Sequence, residues 1–140
     1  MKAVVIYESL TGNTKKAAGM IAAELTRAGV SAKAEPITRI DYQSLTEADL
    51  IIVGTWTDGI VIAGQRPGRA GRLKKLPYIS GKRCAVFVTY AIDQGKVLDK
   101  LVSIMEDRGA DVIGGMAIRR DKLAEGTQDF VGRLLDVVAA

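Results

Sequence analysis

Three short, nearly uninterrupted apolar runs decide what this chain can become. They are Ala3-Val4-Val5-Ile6-Tyr7, Leu50-Ile51-Ile52-Val53 and Cys84-Ala85-Val86-Phe87-Val88. Each is far below the roughly 20 residues of a membrane-spanning helix, and each is rich in residues that favour strands. Without polar alternation, such a run must be covered on both faces, as in a parallel sheet between helices. The stretches between the runs have the other period. Residues 14–28 place Ala17, Ile21, Leu25 and Ala28 on one stripe, with Lys16, Glu24 and Arg27 off it and Gly29 as a stop. Residues 97–108 carry Leu98, Leu101, Val102 and Met105 on a stripe that ends before Gly109. Residues 127–138 repeat the pattern with Phe130, Val131, Leu134, Leu135 and Val138.

The remaining segments are less marked. Residues 31–37 alternate weakly, as an edge strand does, residues 44–49 read as one helical turn, and residues 111–118 read as the last strand. Between 59 and 80, Gly64, Pro67, Gly68, Gly71 and Pro77 allow no more than a short helix near 69–76. The sum is an α/β fold, a doubly wound five-stranded parallel sheet with helices on both faces and right-handed crossovers. The 140 residues are expected to form a single domain, 1–140. Alternation alone leaves two strand orders open, 2-1-3-4-5 and 3-2-1-4-5. Both bind ligands beyond the carboxyl ends of the strands, at the switch point. The loops after strands one, three and four are therefore the ones that should carry chemistry.

Composition removes several kinds of chemistry. The chain has no histidine, so a Ser-His-Asp machine or a zinc site is not expected, and redox chemistry would need a borrowed cofactor. One cysteine, Cys84, excludes an internal disulfide and reads as a small buried residue at a strand start. Glu8 and Thr11-Gly12-Asn13 cut the first apolar run too early for a signal peptide, which points to a soluble cytoplasmic protein with no membrane contact.

The loop Ser9-Leu10-Thr11-Gly12-Asn13-Thr14 follows the first strand and opens into the first helix. Gly12 allows close backbone approach to a ligand. The helix start offers unpaired N–H groups and the positive end of a dipole, together a site for an anion. Neither Gly-x-x-x-x-Gly-Lys-Ser/Thr nor Gly-x-Gly-x-x-Gly is present, so a monophosphate fits better than a pyrophosphate. An ordinary turn, with its polar side chains capping the helix, is the alternative.

These six residues resemble the Ser/Thr-x-Thr-Gly-Asn-Thr phosphate loop of flavodoxins, and the strand-helix alternation extends the resemblance over the whole chain. The resemblance implies the flavodoxin-like order 2-1-3-4-5 and FMN as cofactor. It implies that Ser9, Thr11, Gly12, Asn13 and Thr14 hold the phosphate, with Leu10 giving its backbone N–H, while Lys15 and Lys16 face solvent. On the second loop it implies that Trp56, the chain's one tryptophan, stacks on the flavin, within a cofactor-binding stretch Thr55, Trp56, Thr57, Asp58 and Gly59. The peptide Asp58-Gly59 stands where the family's flavin N5 contact lies, and the pair is itself a turn signal. On the third loop Tyr90 would cover the other ring face, with Thr89 and Asp93 toward the ribityl chain or pyrimidine. The family's usual acids are absent there, replaced by Ala91 and Ile92. Plain packing is the alternative for both aromatics.

Charge marks the departure from that family. Net charge is +4, and residues 59–92 contain seven basic residues and no acid: Arg66, Arg69, Arg72, Lys74, Lys75, Lys82 and Arg83. The bland reading is a solvated loop, and the sharper one is a docking rim for an acidic redox partner near residues 59–83. Aromatics do not interleave with the bases, so nucleic acid is not expected. One cation about 10 Å from a reduced, anionic flavin, at an effective dielectric of about 40, favours it by about 0.8 kcal/mol, or roughly 35 mV. The bound flavin should then be less strongly reducing than in acidic relatives. The leading expectation is a one-electron carrier, as a monomer or weak dimer. The alternatives are an FMN-dependent NAD(P)H:quinone reductase or protoporphyrinogen-oxidase-like enzyme, and a regulatory domain with weak or no FMN.

Overall fold

The computed structural model describes residues 1–60 and 64–139. Its elements are β1 (Lys2–Tyr7), α1 (Asn13–Arg27), β2 (Ser31–Pro36), α2 (Tyr42–Glu47), β3 (Leu50–Ile60), β4 (Gly64–Pro67), α3 (Ala70–Leu73), β5 (Arg83–Tyr90), α4 (Val97–Asp107), β6 (Asp111–Arg119) and α5 (Leu123–Ala139). Five strands run parallel in the order β2-β1-β3-β5-β6, and β4 pairs antiparallel with the far end of β3. With β4 set aside, this is the expected order 2-1-3-4-5.

The apolar runs are buried on both faces because consecutive side chains point to opposite sides of the sheet. Val5, Ile52, Ala85 and Phe87 pack under α1 and α5, where the Phe87 and Phe130 rings lie 6.1 Å apart. Val4, Ile6, Ile51, Val53, Val86 and Val88 pack under α2, α3 and α4 through Leu45, Leu73, Leu101 and Met105. Cys84 lies on this second face with no exposure, and burial pushes its thiol up to about 12.

The second apolar run does not stop at Gly54, and this is the main difference from expectation. β3 continues to Ile60 and folds into a hairpin with β4. Gly54 stays in the strand because the Phe87 ring fills the space its side chain would take. Gly64, which reads as a breaker, pairs with Ile60, and Gly59, which reads as part of a turn, pairs with Gln65, both glycines with φ of 90°. The expected short helix is present as α3, shorter than 69–76. The last helix starts at Leu123, earlier than 127, and the Thr127 hydroxyl sits inside it, donating back to the Leu123 carbonyl at 2.7 Å.

Two measurements check this account. Gly54→Ala puts a methyl group into the Phe87 ring and should destabilise the fold by about 1–3 kcal/mol in urea unfolding, with Phe87→Leu partly restoring it. Asp41 starts α2 by accepting from Gln43 N–H (3.1 Å), Ser44 N–H (3.4 Å) and the Ser44 hydroxyl (2.8 Å). The Ser44 hydroxyl first, and then Lys33, hold its carboxyl down to about 2 from 3.8. A depressed folded pKa stabilises above the unfolded value, and that stabilisation disappears as pH falls through the folded one. Asp41→Ala should therefore lower Tm at pH 7, with the difference closing between about pH 4 and 2.

Candidate functional site

The turn after β1 is built to leave donors free. The Glu8 N–H bonds to Gly54 O at 3.0 Å, which seats the loop beside the middle of β3. Gly12, in the left-handed region at φ 99°, takes the capping position of α1, and no side chain caps that helix. Ser9 Oγ instead accepts from the Gly12 N–H at 3.2 Å, and the Thr11 hydroxyl accepts from Asn13 Nδ2 at 3.4 Å. The first bond of the helix runs from Lys16 N–H to Gly12 O. The N–H groups of Asn13, Thr14 and Lys15 thus open the helix without partners among the described residues. Such a start attracts an anion by dipole and by donor geometry. The polar residues of the loop are therefore not a helix cap. Lys15 and Lys16 are exposed, and Leu10 is 62% exposed.

A hydroxyl pair joins this loop to the far side of the site. Thr14 and Thr89, both buried, sit with their hydroxyl oxygens 2.8 Å apart. One hydroxyl donates to the other, so the pair keeps one proton free for a further acceptor.

The second segment is strand rather than loop. Thr55 is fully buried and its hydroxyl donates to Gly68 O at 2.7 Å, while the Gly68 N–H bonds to Trp56 O at 2.7 Å. The half-buried Trp56 ring lies against Gly68, where no side chain would fit, with the Arg69 guanidinium 5.6 Å from the ring centroid. Asp58 pairs with Arg66 across the hairpin at 3.1 Å, and Gly59 is paired with Gln65. The expected turn at Asp58-Gly59 is thus a stretch of paired strand. The side-chain oxygen of Thr57 is buried with no hydrogen-bond partner, alone in this among the described residues. A buried hydroxyl without a partner is costly and points to a ligand that satisfies it.

These parts meet in an open cleft of about 140 Å³, lined by Leu10, Thr11, Asn13, Thr14, Trp56, Thr57, Thr89, Tyr90, Ala91 and Arg120. Eight expected site residues therefore face one space. Six do not line it. Ser9 and Gly12 shape the loop from behind, and Thr55 is committed to Gly68. Asp58 and Gly59 belong to the hairpin. Asp93 accepts from the Gly95 N–H through its carboxylate at 3.2 Å and from Gln65 Nε2 through its carbonyl at 2.8 Å.

Two features escaped the sequence reading. Arg120 follows the last strand, whose carboxyl-end loop is as much a part of the binding end as the other three. Glu8 read only as the end of an apolar run, yet it is 4% exposed and held by two guanidiniums. Arg69 Nη1 lies 2.6 Å from its Oε1, and Arg72 Nη1 lies 3.2 and 3.3 Å from its two oxygens. Arg69 has φ of 48°, the one positive value outside glycine among the described residues. That conformation costs roughly 1–2 kcal/mol, and the ion pair with Glu8 offsets it.

Much of the basic segment is engaged within the fold. Arg69 and Arg72 are spent on Glu8, Arg66 on Asp58, and Lys82 Nζ on the carbonyls of Thr46 (2.7 Å) and Ala48 (2.8 Å). Lys74 and Lys75 remain exposed without ion pairs among the described residues. Residues 61–63 of the segment lie outside the described residues. No helix among those described is long and apolar enough to cross a membrane, and no cluster of potential metal ligands is found among them.

Comparison with known proteins accords with this geometry. Residues 5–131 match the family model described as flavodoxin. A flavodoxin from Clostridium beijerinckii is 25% identical over 127 residues, 91% of this chain and 92% of that protein. Among solved structures, the two-electron reduced flavodoxin of Megasphaera elsdenii has a TM-score of 0.72 at 24% identity, over 93% of this chain and 98% of that one. A cysteine-to-serine mutant of flavodoxin from Pseudomonas aeruginosa has a TM-score of 0.76 at 14% identity, with both chains covered in full. The chain belongs to the flavodoxin family, and is an FMN-binding electron-transfer protein that exchanges electrons with a redox partner.

Proposed function

We propose that the cleft between α1, β3 and β5 is the FMN site and that the protein is a cytoplasmic one-electron carrier, a monomer or weak dimer. One observation carries the site assignment: the unpaired N–H groups that open α1 and the orphaned Thr57 hydroxyl meet at the same cleft. In this reading the residues of the 9–14 loop hold the phosphate through backbone N–H groups and the Thr11, Asn13 and Thr14 side chains. Thr57 bonds the polar chain between phosphate and ring, and the one free proton of the Thr14–Thr89 pair is the one that Thr14 gives to the phosphate. Trp56 and Tyr90 flank the ring, with Trp56 kept in place by Gly68 behind it. When bound, FMN supplies a ring that takes and gives single electrons, and the chain supplies binding, stacking and electrostatics. Thr55, Asp58, Gly59 and Asp93 act behind this shell, as supports of the hairpin and the third loop.

The charge reading survives in a narrower form. Two guanidiniums on one carboxylate leave a net positive charge at Glu8, and Arg69 carries part of it to the Trp56 ring. That charge should make the bound flavin less strongly reducing than in acidic flavodoxins. With Lys74 and Lys75 it also favours an acidic partner surface.

Titration of the flavin-free chain with FMN should quench Trp56 emission at one equivalent and give a yellow complex. Absence of uptake would sink the site assignment, and rapid NAD(P)H-driven quinone reduction would sink the carrier reading. A potentiometric titration should give a second one-electron potential less negative than those of acidic relatives; an equally low value counts against the charge argument. Gly68→Ala drives a methyl group into the Trp56 ring. It should shift Trp56 emission and weaken FMN binding about 2–10-fold, the range of one aromatic stacking contact.

A further inference from the structure

The neutral donors of the 9–14 loop are not the whole of the anion site. Arg120 lies one residue beyond β6, and its N–H bonds to Tyr90 O at 2.9 Å, which continues the β5–β6 ladder past the strand end. Side-chain direction alternates along β6. Met116 and Ile118 pack into the core beneath α1 and α5, while Ala117 packs into the opposite one. Position 120 therefore leaves the sheet on the α1 side. On that side, the first turn of α1 is tied to the neighbouring strand through Thr14 and Thr89. The Arg120 side chain accordingly lines the cleft together with Thr11, Asn13 and Thr14.

Its charge is uncommitted. Arg119 is locked to Asp121 by two bonds of 3.1 Å, whereas Arg120 is exposed and forms no ion pair among the described residues. Lys15 and Lys16, nearer the loop in sequence, do not line the cleft. A free guanidinium lining the same cleft as a nest of N–H groups matches a phosphate monoester, which it can hold through two parallel bonds.

We infer that Arg120 binds the phosphate of the cofactor, so that this site reads the phosphate with a cation as well as with neutral donors. The inference rests on the FMN assignment above. It makes the chain discriminate between FMN and riboflavin through a side chain outside the phosphate loop. It also makes FMN affinity fall as salt rises, since the contact is one between charges.

The test measures dissociation constants of the flavin-free full chain for FMN and for riboflavin, with inorganic phosphate as competitor, across a salt series. The proteins compared are the unsubstituted chain, R120A, R120K and, as control, R119A. R120A should weaken FMN binding about 10–100-fold, the span of a charge-assisted hydrogen bond, and leave riboflavin binding unchanged. It should also flatten the salt dependence and abolish phosphate competition. R120K should recover part of the loss, and R119A should behave as the unsubstituted chain. Equal weakening of both flavins by R120A, or weakening of neither, overturns the inference while the FMN assignment stands. If no flavin binds at all, that assignment falls. The rise in Tm with inorganic phosphate then decides on Arg120 alone: a rise lost in R120A upholds it as an anion-binding residue, and no rise overturns it.

Discussion

A sheet whose neighbouring strands run parallel and whose faces are both covered leaves the chain one way to proceed. Each strand must return over a face to start again at the same end, so every strand-to-helix loop is delivered to the opposite end. In this molecule the carboxyl ends of β1, β3, β5 and β6 bring Thr11, Thr57, Tyr90 and Arg120 to one cleft, although they are spread over most of the sequence. The site is thus a by-product of burying Val5, Ile52 and Phe87 on one side and Val4, Ile51 and Val86 on the other.

Electrostatics then shapes what the sheet has gathered. An almost fully buried carboxylate beside an anion site is adverse unless it is neutralised. Glu8 is neutralised from a distance in sequence by Arg69 and Arg72. The same contact pins α3 and stabilises the unusual backbone at Arg69, which in turn sits over Trp56. A segment that reads as loose and basic is thereby fastened to the end of β1, with Trp56 between the fastening and the cleft.

Much of this is legible in the sequence. The doubly covered strands, the strand order and the two long stripes follow from period and composition, because burial on both faces leaves no polar residue to break a run. The 9–14 loop was legible because its residue types, length and position agree. The 54–68 region was not. Glycine is a breaker by local preference, and only the Phe87 ring on a neighbouring strand explains why Gly54 can stay within β3. The roles of Glu8 and Arg120 also depend on partners far away in sequence, so no local pattern marks them. Asp58 and Gly59 read as a turn for the same reason, since a turn signal cannot tell a hairpin's closed end from the paired residue beside it.

The hydroxyl pair between Thr14 and Thr89 has a consequence for how the site behaves in different media. It is an uncharged strut, 2.8 Å long and out of reach of solvent, between the helix that receives the anion and the strand that carries Tyr90. Neither ionic strength nor acidity in the ordinary range acts on such a contact. The spacing between the two ends of the cleft is therefore gauged by a bond that ignores the solution, while the charges around it respond to every change of salt. Shape and attraction are set by separate parts, and a change in one leaves the other where it was.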